Sequence, residues 1–249
     1  MRHYFITGVS SGIGAALVSA LSAGAKITGV ARRQDRLDVL SQKYANFHPI
    51  AADVTDAKAM QTAVNDAIKT SGSIDVAILN AGIYKPQDGS KIDPAIYQQH
   101  MDVNYMGVVN AMAPIITDMI NKKQGHIAIT SSVAGWRGLP KSAAYGPTKA
   151  ALISLAESLY FDLTPKGIKL QVICPGFVES EATEVNDFEM PDLLSSEQAA
   201  AHILDGLKHD DFIVDFPKSF TRKMKFLKYL PDRLFFKLVA RQTGHKKQP

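Results

Sequence analysis

Thr7-Gly8-Val9-Ser10-Ser11-Gly12-Ile13-Gly14 follows directly on the β-like run His3-Tyr4-Phe5-Ile6-Thr7 and leads into the helix start Ala15-Ala16-Leu17-Val18. Glycine lets the chain turn sharply at a strand end and approach a pyrophosphate with no Cβ in the way. The helix behind it offers unpaired N–H groups and a positive dipole end to that anion. Gly8, Ser10, Ser11, Gly12, Ile13 and Gly14 are therefore candidate contacts to a dinucleotide phosphate. A ligand-free capping turn is the plain alternative. It fits less well, because the triplet closes the very first strand and ligand-type residues follow later strands.

Outward from this turn, short β-like runs alternate with longer helical stretches as far as residue 215. The pattern predicts strands at 3–7, 26–30, 47–51, 75–79, 126–131, 169–174 and 212–215. Helices are expected near 12–23, 34–44, 56–70, 93–121, 143–164 and 195–208. Val76-Ala77-Ile78-Leu79 and Ile127-Ala128-Ile129 are apolar without alternation, as strands covered on both faces of a parallel sheet are. The expected fold is α/β: a doubly wound, mainly parallel seven-stranded sheet with helices on both faces, a Rossmann fold. Ligands should then sit beyond the carboxyl ends of the strands. Residues 1–215 read as one catalytic domain and 216–249 as an appended helical extension.

The chain has 249 residues, 46% hydrophobic and 21% charged, which excludes intrinsic disorder. Cys174 is the single cysteine, so no intramolecular disulfide forms and a reducing, cytoplasmic setting is permitted. The seven histidines lack metal-ligand spacing, and no metal site is expected. No apolar run approaches the roughly 20 residues that span a bilayer, and no signal peptide is expected at the start.

The second strand ends Gly29-Val30-Ala31-Arg32-Arg33. An NAD site wants a carboxylate there for the ribose hydroxyls; Arg32 and Arg33 suit a 2′-phosphate instead, which favours NADP over NAD. Asp53-Val54 closes the third strand, where Asp53 could meet the adenine amino group or cap the next helix. After the fifth strand come Thr130-Ser131-Ser132 and then Tyr145-Gly146-Pro147-Thr148-Lys149. Four residues apart on a helix, Tyr145 and Lys149 share a face, and an ammonium beside a phenol is expected to lower its pKa. Pro147 belongs in a first helical turn, which places Tyr145 at the helix start near the strand ends.

With these residues assembled, the chain resembles the short-chain dehydrogenase/reductase family in its compact single-domain branch. The resemblance rests on Thr7-Gly8-x-x-x-Gly12-Ile13-Gly14, Asp53-Val54, Asn80-Ala81-Gly82, Asn104, Ser132, Tyr145-x-x-x-Lys149 and Pro175-Gly176-Phe177-Val178. It implies that Tyr145 is the general acid and base, that Lys149 tunes it and holds the nicotinamide ribose, and that Ser132 polarises the carbonyl. Asn104 would hold a proton-relaying water. Asn80, Ala81 and Gly82 would line the adenosine side, and Pro175, Gly176 and Val178 would wrap the nicotinamide. Ser180 stands where many relatives have threonine and keeps the hydroxyl. Cys174 is given no role, as a small buried hydrophobe.

The implied activity is an NADP(H)-dependent oxidoreductase acting on a small-molecule ketone, aldehyde or alcohol. A sugar epimerase or dehydratase of the same superfamily, or a cofactor-binding sensor or scaffold without turnover, are the alternatives. Substrate loops at 84–91, 135–140 and 179–194 hold Trp136, Leu139, Phe188, Met190 and Leu193, with only Lys85, Lys91 and Arg137 as basic groups, and so favour an apolar or lipid-like substrate. Apolar surface on the helices at 93–121 and 143–164 suggests a homodimer or homotetramer.

Charge is unevenly placed. Residues 216–249 hold ten Lys/Arg and one Asp, a balance of +9, against 18 Lys/Arg and 23 Asp/Glu, or −5, in the first 215. Phe220, Met224, Leu227 and Leu230 recur at helical spacing, and Leu234, Phe235, Leu238 and Val239 begin a second apolar face after Pro231. Two readings of this extension stay open: packing over the cleft or a subunit interface, and peripheral contact with an anionic membrane. Nucleic-acid binding is not expected, since no recognition motif accompanies the charge.

Overall fold

The computed structural model describes residues 1–181, 183–184 and 190–244. Within them the strands are β1 (His3–Thr7), β2 (Lys26–Ala31), β3 (Phe47–Ala51), β4 (Val76–Leu79), β5 (Gly125–Thr130), β6 (Ile168–Pro175) and β7 (Ile213–Phe216). They form one sheet in the order β3-β2-β1-β4-β5-β6-β7, with every pairing parallel. The last strand runs to Phe216, one residue past the expected end of the first segment.

Alternate residues of the same strand feed two separate cores, because successive side chains point to opposite faces. Phe5, Ala77, Leu79, Ile127 and Ile129 pack against α3 (Ala57–Ser71), α5 (Gly107–Lys122) and α6 (Gly146–Leu163). Ile6, Val76, Ile78 and Ala128 face α1 (Gly12–Leu21), α2 (Gln34–Lys43) and α7 (Ser196–Gly206). The doubly wound architecture expected from the sequence is the observed one. Chain order reverses between β1 and β4, and the crevice at their carboxyl ends is where ligands sit in such sheets.

The helix expected over 93–121 is interrupted. It consists of α4 (Pro94–His100), a π-helical turn at Met101–Met106, and α5. Asp93 caps its start by accepting from the Ala95 N–H at 3.0 Å.

Past the sheet come α8 (Lys218–Lys228) and α9 (Asp232–Gln242). Phe220 and Met224 are buried in the main core, and Phe235 and Val239 of α9 are buried as well. Two anchors hold these helices. Asp215, buried at the end of β7, accepts from Lys218 at 2.8 Å and Lys225 at 2.9 Å. Arg137 donates through Nη1 to the carbonyls of Leu227, Lys228 and Leu230, at 3.2, 3.1 and 2.6 Å. They lie at and just past the end of α8, where carbonyls run short of helical N–H partners. The same guanidinium reaches Asp232 and lies 3.9 Å from the Phe235 ring centroid.

Candidate active site

The turn after β1 is built as the sequence demands. Gly8 has φ +77°, a conformation open to glycine at little cost, and a Cβ on Gly14 would lie 2.1 Å from the Gly8 carbonyl oxygen. Gly14 thus serves the turn from behind and does not line the cleft. Ser11, at the N-cap of α1, makes no side-chain cap bond, and the first turn carries no acidic residue. The helix end therefore keeps donors for an anion. Thr7 Oγ1 accepts from the backbone N–H of Asn80 and of Ala81, each at 3.0 Å, which fastens the end of β4 beside the turn. Sequence reasoning gave Thr7 no task of its own.

A cleft of about 1660 Å³ runs along the carboxyl edge of the sheet. Gly8, Ser10, Ser11, Gly12, Ile13, Arg32, Arg33, Asp53, Val54, Asn80, Ala81, Gly82, Ser132, Tyr145, Lys149, Pro175, Gly176, Val178 and Ser180 all line it. Of the expected site residues only Gly14 and Asn104 stand behind the wall.

The two arginines differ. Arg33 folds over the glycine turn, donating to Ser10 Oγ from Nε and Nη2 and to Ser11 Oγ from Nη2, and pairs with Glu181 at 2.8 Å. Arg32 is exposed and lies 3.7 Å from Asp53. Glu181 also meets Arg36 at 3.4 Å. A carboxylate on Arg33 carries no sequence signal, since the two are 148 residues apart. Asp53 does not cap α3. It accepts from the N–H and hydroxyl of Thr55, while Asp56 caps the helix through the N–H groups of Lys58 and Ala59.

Tyr145 is the N-cap residue of α6, with Pro147 in the first turn. Its phenol is hydrogen-bonded with Ser132 and packs edge-on against Tyr84 at 5.1 Å. Ser132 Oγ is fixed by accepting from the Ala134 N–H at 3.1 Å. The Ser131 hydroxyl is spent elsewhere, on the Lys149 carbonyl at 2.8 Å. Lys149 Nζ donates to the Thr130 carbonyl at 2.8 Å and lies 5.5 Å from the Tyr145 ring centroid. The π-helical turn carries Asn104, which accepts from the Ile83 N–H at 2.7 Å and donates to the Ile83 carbonyl and to Thr148 Oγ1. Asn104 and Lys149 flank Gly82: a Cβ there would sit 3.3 Å from Asn104 Oδ1 and 3.5 Å from Lys149 Nζ.

The expected lowering of the Tyr145 pKa is not what this arrangement gives. Burial dominates, pushing the phenol up to about 12, with Ser132 opposing, and it pushes Lys149 down to about 8. Both shifts have one cause, since a desolvated site disfavours whichever form is charged. Tyr145, neutral at pH 7 even as an ordinary phenol, stays so further into the alkaline range.

The expected substrate loops need two corrections. Trp136 is buried in the core beneath Lys225 rather than lining the cleft. Arg137 is turned onto the C-terminal helices. Phe188 lies outside the described residues. Leu139 does line the cleft, as do residues the sequence left unassigned, among them Phe177, Arg222, Lys223 and Phe226.

Residues 2–190 match the family described as short chain dehydrogenase. An uncharacterized oxidoreductase of Myxococcus xanthus is 31% identical over 239 residues, covering 94% of each chain. A solved short-chain dehydrogenase from Streptomyces avermitilis superposes with a TM-score of 0.83 at 23% identity, over 100% of this chain and 98% of its own. ElxO with NADP bound superposes with a TM-score of 0.77 at 24% identity, over 86% of this chain and 97% of its own.

Proposed function

This chain belongs to the short-chain dehydrogenase family, and from that premise we propose that it is an NADP(H)-dependent oxidoreductase interconverting a ketone or aldehyde and an alcohol. The observation that carries the reading is the convergence of Ser132, Tyr145 and Lys149 on one cleft with the glycine turn. The uncapped start of α1 suits a pyrophosphate, and Arg32 and Arg33 suit a 2′-phosphate. ElxO, of the same fold, is a structure with NADP bound.

When bound, the nicotinamide supplies a hydride to the carbonyl carbon or takes one from the alcohol. Ser132 holds the carbonyl oxygen beside the phenol. Tyr145, protonated at neutral pH, donates its proton to that oxygen as the charge develops, and recovers it in the reverse direction. Lys149, mostly ammonium at neutral pH, is pinned by Thr130 where it can meet the nicotinamide ribose and stabilise the phenolate left behind. Asn104 joins the lysine to the proton supply. Asn80, Ala81 and Gly82 would line the adenosine side, and Pro175, Gly176, Val178 and Ser180 the nicotinamide. Phe177, Leu139, Met224 and Leu227 make the substrate end apolar. Exposed Phe161 and Met106, on α6 and beside α5, suit a homo-oligomer.

The test is a panel of carbonyl compounds graded by chain length, followed by NADPH oxidation. Tyr145→Phe should lower kcat by ~10²–10⁴-fold while leaving NADPH binding intact, because only the transferable proton is lost. An unchanged kcat in the Phe variant would overturn the mechanism. NADPH binding with no turnover of any substrate would point to a cofactor sensor.

A further inference from the structure

We propose that the outward surface of α8 and α9 docks reversibly on an anionic lipid bilayer and sets the mouth of the cleft against it. The two helices have already satisfied their core stripe with Phe220, Met224, Phe235 and Val239. A second apolar set is left outside: Phe226 is 67% exposed, Tyr229 81% and Phe236 64%, with Leu234 and Leu238 exposed beside them. Residues of this size at such exposure need a partner surface or lie idle in water.

The charges around them name the partner. Lys218 and Lys225 are consumed by Asp215. Among the described residues, Arg222, Lys223, Lys228, Arg233, Lys237 and Arg241 form no ion pair. The one carboxylate on these helices, Asp232, is taken by Arg137. Six uncompensated cations interleaved with aromatic and leucine side chains match a surface that is anionic outside and apolar just beneath. A second copy meeting this face across a two-fold axis would bring two such cation sets together with no acid between them. Duplex nucleic acid would answer the cations and leave the apolar set uncovered.

Position gives the contact a purpose. Arg222, Lys223, Phe226 and Leu238 also line the cleft, so its mouth opens beside this surface. A carbonyl carried on a lipid chain could pass from the bilayer to the apolar substrate end without crossing water. Among the described residues no helix is long and apolar enough to cross a membrane, so the contact is one of surface docking.

Sedimentation of the full chain with phosphatidylcholine vesicles, with and without phosphatidylglycerol, tests this without any substrate. Binding is expected only with the anionic lipid, and should fade at high salt. Each cation contributes roughly five-fold in partitioning, so Arg222→Gln with Lys223→Gln and Lys228→Gln should weaken it about a hundred-fold. Phe226→Ser with Tyr229→Ser, which leaves the charge unchanged, should weaken it as well. All five side chains are exposed, and the lipid series on the wild-type chain stands whether or not a variant folds. The proposal falls if no binding is seen at low salt, if neutral vesicles bind equally, or if either variant binds like wild type. It falls too if the serine variant merely turns a dimer into a monomer and leaves sedimentation unmoved, for then a second copy covers the face.

Discussion

Replacing Arg137 with alanine should detach the C-terminal helices from the rest of the fold. Its side chain is only 17% exposed and serves two helices at once. Nη1 has two hydrogens, so its three carbonyl contacts at the end of α8 amount to two full bonds. Each contributes about 1–1.5 kcal/mol net. The Phe235 stacking adds about 1 kcal/mol. The pair with Asp232, whose side chain is 83% exposed, adds at most about 0.5 kcal/mol. The expected loss is about 3–4 kcal/mol, large for one residue. Urea unfolding measures it, and limited proteolysis should show cleavage after the last strand in the variant before the remainder yields. Arg137→Lys should recover little, because one ammonium cannot span three carbonyls, a carboxylate and a ring face. A loss below about 1 kcal/mol, or a lysine variant as stable as wild type, would refute this account of the anchor.

Three further outcomes are expected. Arg33→Asp should weaken NADPH binding by about 10- to 150-fold, the equivalent of 1.5–3 kcal/mol, and spare NADH; Glu181→Gln, which removes the carboxylate from Arg33, should tighten NADPH binding. Fluorescence titration of both cofactors decides this, and a wild-type preference for NADH would overturn the arginine assignment. Because Lys149 titrates at about 8 and Tyr145 at about 12, kcat/KM for carbonyl reduction should be level below pH 8 and fall above it as the ammonium is lost. A pH profile with no decline near 8 would contradict the lysine's part. His126, held neutral by burial with a pKa of about 4, binds its proton more readily when unfolded, so stability should drop as pH falls from 6.5 toward 4. Urea midpoints should show about 2–3 kcal/mol less of that acid loss at pH ~4.5 in His126→Gln than in wild type.

Much of this was readable in advance, and for physical reasons. Strands buried on both faces, such as Val76–Leu79, have a composition few other segments share, and every strand end lies within one residue of expectation. The glycine turn and the Tyr145 to Lys149 spacing are local features, set by backbone geometry over a few residues. What escaped is non-local or one residue wide. A π-helical turn changes the pitch for a single turn and leaves apolar periodicity intact, so 93–121 reads as one α-helix. Trp136 reads as a loop aromatic because its burial depends on Lys225 and the core beneath. Arg137 meets Leu230 across 93 residues, and Glu181 meets Arg33 across 148. The burial that pushes the Tyr145 phenol up is not legible either, because neighbours in sequence announce charge, whereas desolvation depends on the whole fold.

The π-helical turn has a consequence for how the protein can vary. A widened turn is the mark of one residue more than an α-helix would hold. Before it, α4 answers to the loop around Lys85, through the His100 ring nitrogen that accepts the Lys85 N–H at 3.1 Å. After it, α5 answers to the core through Val108, Ala111, Met112 and Ile115. The turn is thus a splice between two phases of one rod, and Asn104 sits at the seam. Removing any one residue of Met101–Met106 would straighten the rod and could leave the core in register, yet it would rotate the asparagine or α4 by about 100°. Deletion of Tyr105 or Met106 should therefore divide the chain's two obligations, sparing its folding while turning Asn104 away from Ile83 and Thr148.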